Sequence, residues 1–65
     1  MITAKVKGAI FNDATLKVND INVETFKGVV QLSGFVRSQA DIDKAVQVAR
    51  GIAGVKSVKN DMRIK

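Results

Sequence analysis

The chain contains no cysteine, histidine, proline, tryptophan or tyrosine among its 65 residues. The missing cysteine excludes disulfides and thiolate metal sites, and the missing histidine removes the commonest general base. Ser33 and Ser38 therefore lack the partner that activates a serine nucleophile. Asp41 and Asp43 are neighbouring positions of a predicted helix, so their carboxylates do not face each other. We expect a non-enzymatic protein without a metal or other cofactor.

Long apolar runs are also missing. No stretch approaches the ~20 apolar residues that span a bilayer, so we expect no transmembrane segment. Charges interrupt the stretch from Met1 to Lys7, which lacks the apolar core of a signal peptide, and an exported form would have lost that peptide. The length predicts one small domain over residues 1–65.

Positive charge is abundant. Eleven Lys and Arg face six Asp and Glu, which gives a net charge of +5. Such an excess favours acidic partners, namely phospholipid headgroups, nucleic acid or an acidic protein. Solubility alone would also account for it.

The stretch from Gly28 to Val36 organises the chain. Val30, Leu32, Gly34 and Val36 point one way and Gln31 and Ser33 the other, which is typical of a strand with one buried face, and we expect Leu32 to be fully buried. Gly28 lies where a hairpin would turn. Gly34 falls on the apolar side, where a missing side chain allows close approach, and we expect the second helix to pack there.

The other segments predict two helices and two more strands. Apolar spacing predicts a helix from Ile2 to Phe11, and alternation from Ile21 to Thr25 predicts a strand that ends in a hairpin tip, Phe26-Lys27-Gly28. Ser38 is a candidate N-cap for the second helix, and Gly54 is expected to be its left-handed C-terminal cap. The apolar stripe of this helix comprises Ile42, Ala45, Val46, Ala49, Ile52 and Ala53.

The last segment alternates as a third strand. Val58, Met62 and Ile64 face the core in this interpretation, and Asn60 on the same side should hydrogen-bond to backbone. A parallel pairing with the central strand would make a βαβ crossover. The predicted fold is therefore α+β, with the order αββαβ, a three-stranded mixed sheet and both helices packed on one face.

These patterns resemble the BON-domain family. The resemblance is carried by Ile21-x-Val23, Gly28-x-Val30-x-Leu32-x-Gly34-x-Val36 and Gly54-Val55-x-x-Val58-x-Asn60-x-Met62-x-Ile64. The stretch from Leu32 to Ala40 is similar to OsmY-like members. The resemblance implies an αββαβ fold, a bacterial periplasmic or envelope location, and binding of phospholipid surfaces that supports the envelope under osmotic stress. The family that the chain resembles has no agreed catalytic residues, and its domain often occurs as tandem copies.

The candidate surface-binding residues are basic or aromatic side chains that leave the predicted core. They are Phe26, Lys27, Arg37, Lys56, Lys59, Arg63 and Lys65. Val29 and Phe35 would add apolar surface on the sheet face away from the helices. Lysines that protect an edge strand from aggregation would explain the basic residues equally well.

Three partner hypotheses remain open at this point. The first is an anionic phospholipid surface, and the second is an envelope protein bound in an interaction or chaperone-like role. The third is a nucleic acid, because Gly51-Ile52-Ala53-Gly54 matches the GxxG loop of KH domains. A KH loop joins two helices, however, whereas the segment after Gly54 alternates as a strand. The oligomeric state is open.

Overall fold

The computed structural model describes residues 1–65 and has the predicted α+β architecture. Its elements are α1 (Ile2–Phe11), β1 (Asp20–Phe26), β2 (Val29–Val36), α2 (Gln39–Arg50) and β3 (Ser57–Ile64). The strands lie in the order β1-β2-β3, with β1 antiparallel and β3 parallel to β2. The sheet is therefore mixed, and β2, α2 and β3 form the predicted βαβ crossover.

Both helices pack on one face of the sheet. The buried apolar side chains come from α1, the loop after it, α2 and alternate positions of the strands. They are Val6, Ile10, Leu16, Val23, Val30, Leu32, Val36, Ile42, Ala45, Ala49 and Met62. Leu32 has no exposed surface, as predicted. Neither helix is long and apolar enough to cross a membrane.

The β1–β2 connection is a two-residue turn made by Lys27 and Gly28. Their φ angles are 51° and 82°, and a positive φ at both central residues is the mark of a type I′ hairpin turn. Gly28 thus turns the chain as predicted. Lys27 adopts a left-handed conformation that costs roughly 1–2 kcal/mol in a residue with a Cβ.

Gly34 is required by β1, and the prediction that α2 packs against it is wrong. Its φ is +119°, and a Cβ built there would overlap the backbone carbonyl oxygen of Asp20. Gly34 pairs with Ile21 in the antiparallel ladder. The close approach is therefore between two paired strands, where the second backbone cannot move aside without breaking the ladder.

The end of α2 also differs from the prediction. The helix ends at Arg50, and Gly51, with φ −76°, is its C-cap. Ile52 and Ala53 therefore lie beyond the helical stripe, in a turn closed by the Val55 amide donating to the Ile52 carbonyl at 3.2 Å. Gly54 is left-handed, with φ +92°, but it shapes this turn into β3 instead of capping the helix.

The strand β3 forms one edge of the sheet. The Asn60 Oδ1 atom accepts a hydrogen bond from the Met62 backbone amide at 2.8 Å, which confirms the predicted bond to backbone. Asn60 itself is exposed, and Ile64, predicted to face the core, is 52% exposed. Ile64 occupies the last register position of an edge strand, where fewer neighbours cover a side chain. The Gly51–Gly54 segment joins α2 to β3, unlike a KH loop.

Candidate functional site

The sheet face opposite the helices, here called the open face, carries most of the candidate residues. Each strand contributes every second side chain to it. Its four rows, read from β1 across β2 to β3, are Phe26–Val29–Ser57, Glu24–Gln31–Lys59, Asn22–Ser33–Asp61 and Asp20–Phe35–Arg63. Buried Val23, Val30 and Leu32 between these positions fix which face is which.

Charge is divided across the open face. The β1 edge holds Asp20 and Glu24, whereas the β3 edge holds Lys59 and Arg63. Asp61 is the one acid on the β3 edge, and it accepts a hydrogen bond from Gln31 Nε2 at 2.5 Å. The centre carries apolar Val29 and Phe35, both exposed. The face thus has an acidic edge, a partly apolar centre and a basic edge.

One cluster of candidates lies at the hairpin end of this face. Phe26 is 73% exposed, and the Lys27 Nζ atom lies 5.3 Å from the centre of its ring, within cation–π range. The Lys56 amide donates to the Gly28 carbonyl at 2.8 Å, which brings a second lysine to the turn. Phe26 and Lys27 border a shallow depression of about 550 Å³, whose other lining residues are Glu24, Thr25, Val29, Gln31 and Lys59.

The remaining candidates lie at the opposite end of the sheet. Arg37 follows β2 directly, and the Lys65 amide donates to the Val36 carbonyl at 2.9 Å. Together with Phe35 they border a depression of about 270 Å³, and Arg63 lies beside Phe35 in the last row. Six residues of strand, or roughly 20 Å, separate Val29 from Phe35. The seven predicted residues therefore form two clusters, a hairpin end (Phe26, Lys27, Lys56, Lys59) and a far end (Arg37, Arg63, Lys65).

The acidic edge of the open face is not among the surface-binding residues predicted from the sequence. Glu24 alternates with Val23 and Thr25, so the period-two pattern already placed it on the outer face. Asp20 precedes the predicted strand, whereas in the structure it is the first residue of β1. Their importance depends on the strand order β1-β2-β3, because only that order puts them opposite the basic edge. Phe11, the last residue of α1, is 67% exposed, and the gap beside it, about 20 Å³, is too small for a ligand.

Comparisons with known proteins agree with this architecture. The family model for the BON domain matches residues 1–65. Osmotically-inducible protein Y of Escherichia coli strain K12 is 48% identical over 64 residues, which are 98% of this chain and 32% of that protein. An uncharacterized protein of Anaplasma centrale is 30% identical over 64 residues, 98% of this chain and 42% of its own length. The chain thus spans about a third to two fifths of the length of these curated relatives.

Proposed function

The chain belongs to the BON-domain family, and we propose that it is a non-catalytic envelope module that docks reversibly on anionic phospholipid through its hairpin end. The similarity to an osmotically inducible protein supports a role in maintaining the bacterial envelope under osmotic stress. A periplasmic location follows from the same proposal, because that compartment gives access to envelope lipids.

The observation that carries the proposal is the conformation of Lys27. Type I′ turns favour Asn-Gly, since asparagine tolerates a positive φ better than other residues with a Cβ. This chain has lysine at that position, with φ 51°. Departures from local preference are expected where function requires them. A lysine at the tip of a hairpin, beside an exposed phenylalanine, suits a surface that is both apolar and negatively charged.

The expected strength is that of weak, reversible docking. Each lysine near an anionic surface contributes about 1 kcal/mol, so Lys27, Lys56 and Lys59 together contribute about 3 kcal/mol. Full burial of the Phe26 ring would add about 1.5–3 kcal/mol. The sum is close to the membrane affinity of one myristoyl chain, which anchors only marginally. The electrostatic part should weaken as salt rises, because the screening length shrinks to about 3 Å at 1 M ionic strength.

Cosedimentation with vesicles tests this function. We expect the protein to sediment with anionic phosphatidylglycerol-containing vesicles at low salt, to sediment little with neutral phosphatidylcholine vesicles, and to be released as salt rises. Lys59→Glu, in the hairpin end, should weaken binding more than Arg63→Glu, in the far end. Equal or absent binding in all cases would contradict lipid docking and favour a protein-interaction module.

A further inference from the structure

The two edges of the open face complement each other in sign and in position. Glu24 and Lys59 occupy one row and Asp20 and Arg63 another, with β2 between them in both cases. A surface with acids along one edge and bases along the other can match a second copy of itself. Whether it does so depends on how the two copies are oriented.

Two orientations bring two open faces together around a two-fold axis that lies between them. An axis across the strands sets β1 on β1 and β3 on β3 and reverses the order of the rows, so neither Glu24 nor Asp20 gains a basic partner. An axis along the strands sets β1 of one copy on β3 of the other and keeps the rows aligned. Glu24 then faces Lys59, Asp20 faces Arg63, and the Asn22 amide faces Asp61. The same axis brings the exposed Phe35 rings of the two copies together, as aromatic pairs favour.

We propose that a second copy of this chain binds on the open face, with the two sheets stacked and the two-fold axis along β2. Aligned sheets pack about 10 Å apart with strands near 30° to each other, which Glu24 and Lys59 side chains can span. This isologous contact uses each unlike pair twice. It shares Phe26 and Lys59 with the hairpin end, whereas Lys27 and Lys56 lie at the turn, outside the stacked rows.

The size of the face predicts a weak association. Three strands of up to eight residues each cover about 26 by 14 Å, so two such faces, treated as flat, bury roughly 700 Å² in total. Stable interfaces bury about 1,200 Å² or more. The molecule measures 29 × 21 × 15 Å, which leaves little room to enlarge the contact. We therefore expect dimers only at high protein concentration.

Sedimentation equilibrium at low salt, without lipid, tests the contact with two charge-reversal variants. The average mass of the wild-type protein should exceed the monomer mass of 7.0 kDa as the protein concentration approaches the millimolar range. Glu24→Lys sets lysine against lysine, and Lys59→Glu sets glutamate against glutamate. Each should raise the dimer dissociation constant at least about tenfold, because the altered pair occurs twice. An equimolar mixture of the two variants restores both unlike pairs and should dimerise as wild type does.

Asp43→Lys and Lys5→Glu are matched controls. They change charge by the same amounts at exposed positions of α2 and α1, away from the open face, and should leave dimerisation within about twofold of wild type. Wild type that stays monomeric would overturn the proposal. So would single variants that dimerise like wild type, or a mixture that fails to recover. Because no lipid is present, these outcomes are independent of the docking proposal.

Discussion

Asn19 is hydrogen-bonded to Asp41, and together with a second hydrogen bond this contact joins three segments of the fold. The Asn19 Nδ2 atom donates to Asp41 Oδ2 at 2.8 Å, while Asn19 Oδ1 accepts from the Arg37 backbone amide at 3.1 Å. Asp41 is buried in the first turn of α2, where Ser38 Oγ also accepts from its amide at 3.3 Å. The loop before β1, the end of β2 and the start of α2 are thus tied together by one side chain.

Replacing Asn19 should destabilise the domain. Asn19→Ala leaves the buried Asp41 carboxylate without its amide donor, and an unsatisfied buried polar group costs about 1–3 kcal/mol. Urea denaturation followed by circular dichroism measures the loss. Asn22→Ala, on the exposed open face, is the matched control and should stay within about 0.5 kcal/mol of wild type. Equal effects at the two positions would show that the Asn19 bridge contributes nothing.

Gly34 and Gly54, two of the three glycines with a positive φ, should differ in their tolerance of alanine. Gly54→Ala should cost about 1–2 kcal/mol, the price of the left-handed conformation, because its Cβ would meet only the Ile2 side chain, at 3.2 Å. Gly34→Ala should cost more, since its Cβ would overlap the Asp20 carbonyl in the paired strand. Denaturation midpoints give the ranking. A smaller loss at Gly34 than at Gly54 would contradict the close approach of β1 and β2.

Most of the fold could be predicted because its signals are local. The alternation around Leu32, the helical spacing from Ile2 to Phe11 and the Ser38 cap each depend on a few neighbouring residues, and all three agree with the structure. What could not be predicted depends on which strands meet. The partner of Gly34 is the backbone of Asp20, fixed by the β1–β2 register.

The same limit applies to the candidate site. The sequence identified Lys27 and Lys65 as exposed and basic, but their separation into two ends follows from the direction of the strands. The relevance of Glu24 depends on the strand order, which places it and Lys59 on opposite edges of the open face with β2 between them. The end of α2 was misplaced because Gly51 and Gly54 both suit a helix terminus, and local pattern alone does not choose between them.

Asp13 should make stability depend on pH. The Lys44 side chain, with Nζ 3.1 Å from Asp13 Oδ2, lowers the pKa of Asp13, and the Leu16 and Thr15 amides add to the effect against desolvation. A carboxyl whose pKa is lower in the folded protein contributes stability at every pH above its unfolded pKa of about 4. That contribution is lost as the pH falls through the folded pKa. Asp13→Asn should therefore be less stable than wild type at pH 7, with the gap closing below pH ~4.

Denaturation curves at several pH values measure that gap. Lys44→Gln provides the matched background, because it removes the principal cause of the lowered pKa of Asp13. In that background Asp13→Asn should have a smaller effect at pH 7. A gap that is constant from pH 7 to pH 3 would show that the pKa of Asp13 does not change on folding.

Lys27→Asn should separate stability from function. Asparagine suits the left-handed position, so the free energy of unfolding should rise, by up to about 1 kcal/mol. The same change removes one of the three lysines of the hairpin end, and binding to anionic vesicles should fall about fivefold, as expected for the loss of about 1 kcal/mol. Thermal unfolding and vesicle cosedimentation on the same sample measure both. A variant that is stabilised yet binds as well as wild type would show that Lys27 has no part in docking.

The most direct measurement compares the two ends of the sheet at equal charge. Lys27→Glu/Lys56→Glu and Arg37→Glu/Lys65→Glu each lower the net charge by four, at exposed positions. Sedimentation with phosphatidylglycerol-containing vesicles at low salt is measured for wild type and for both double variants. Docking through the hairpin end predicts that the first variant loses most of its binding while the second keeps the greater part. Equal losses, or a larger loss in the second variant, would contradict it.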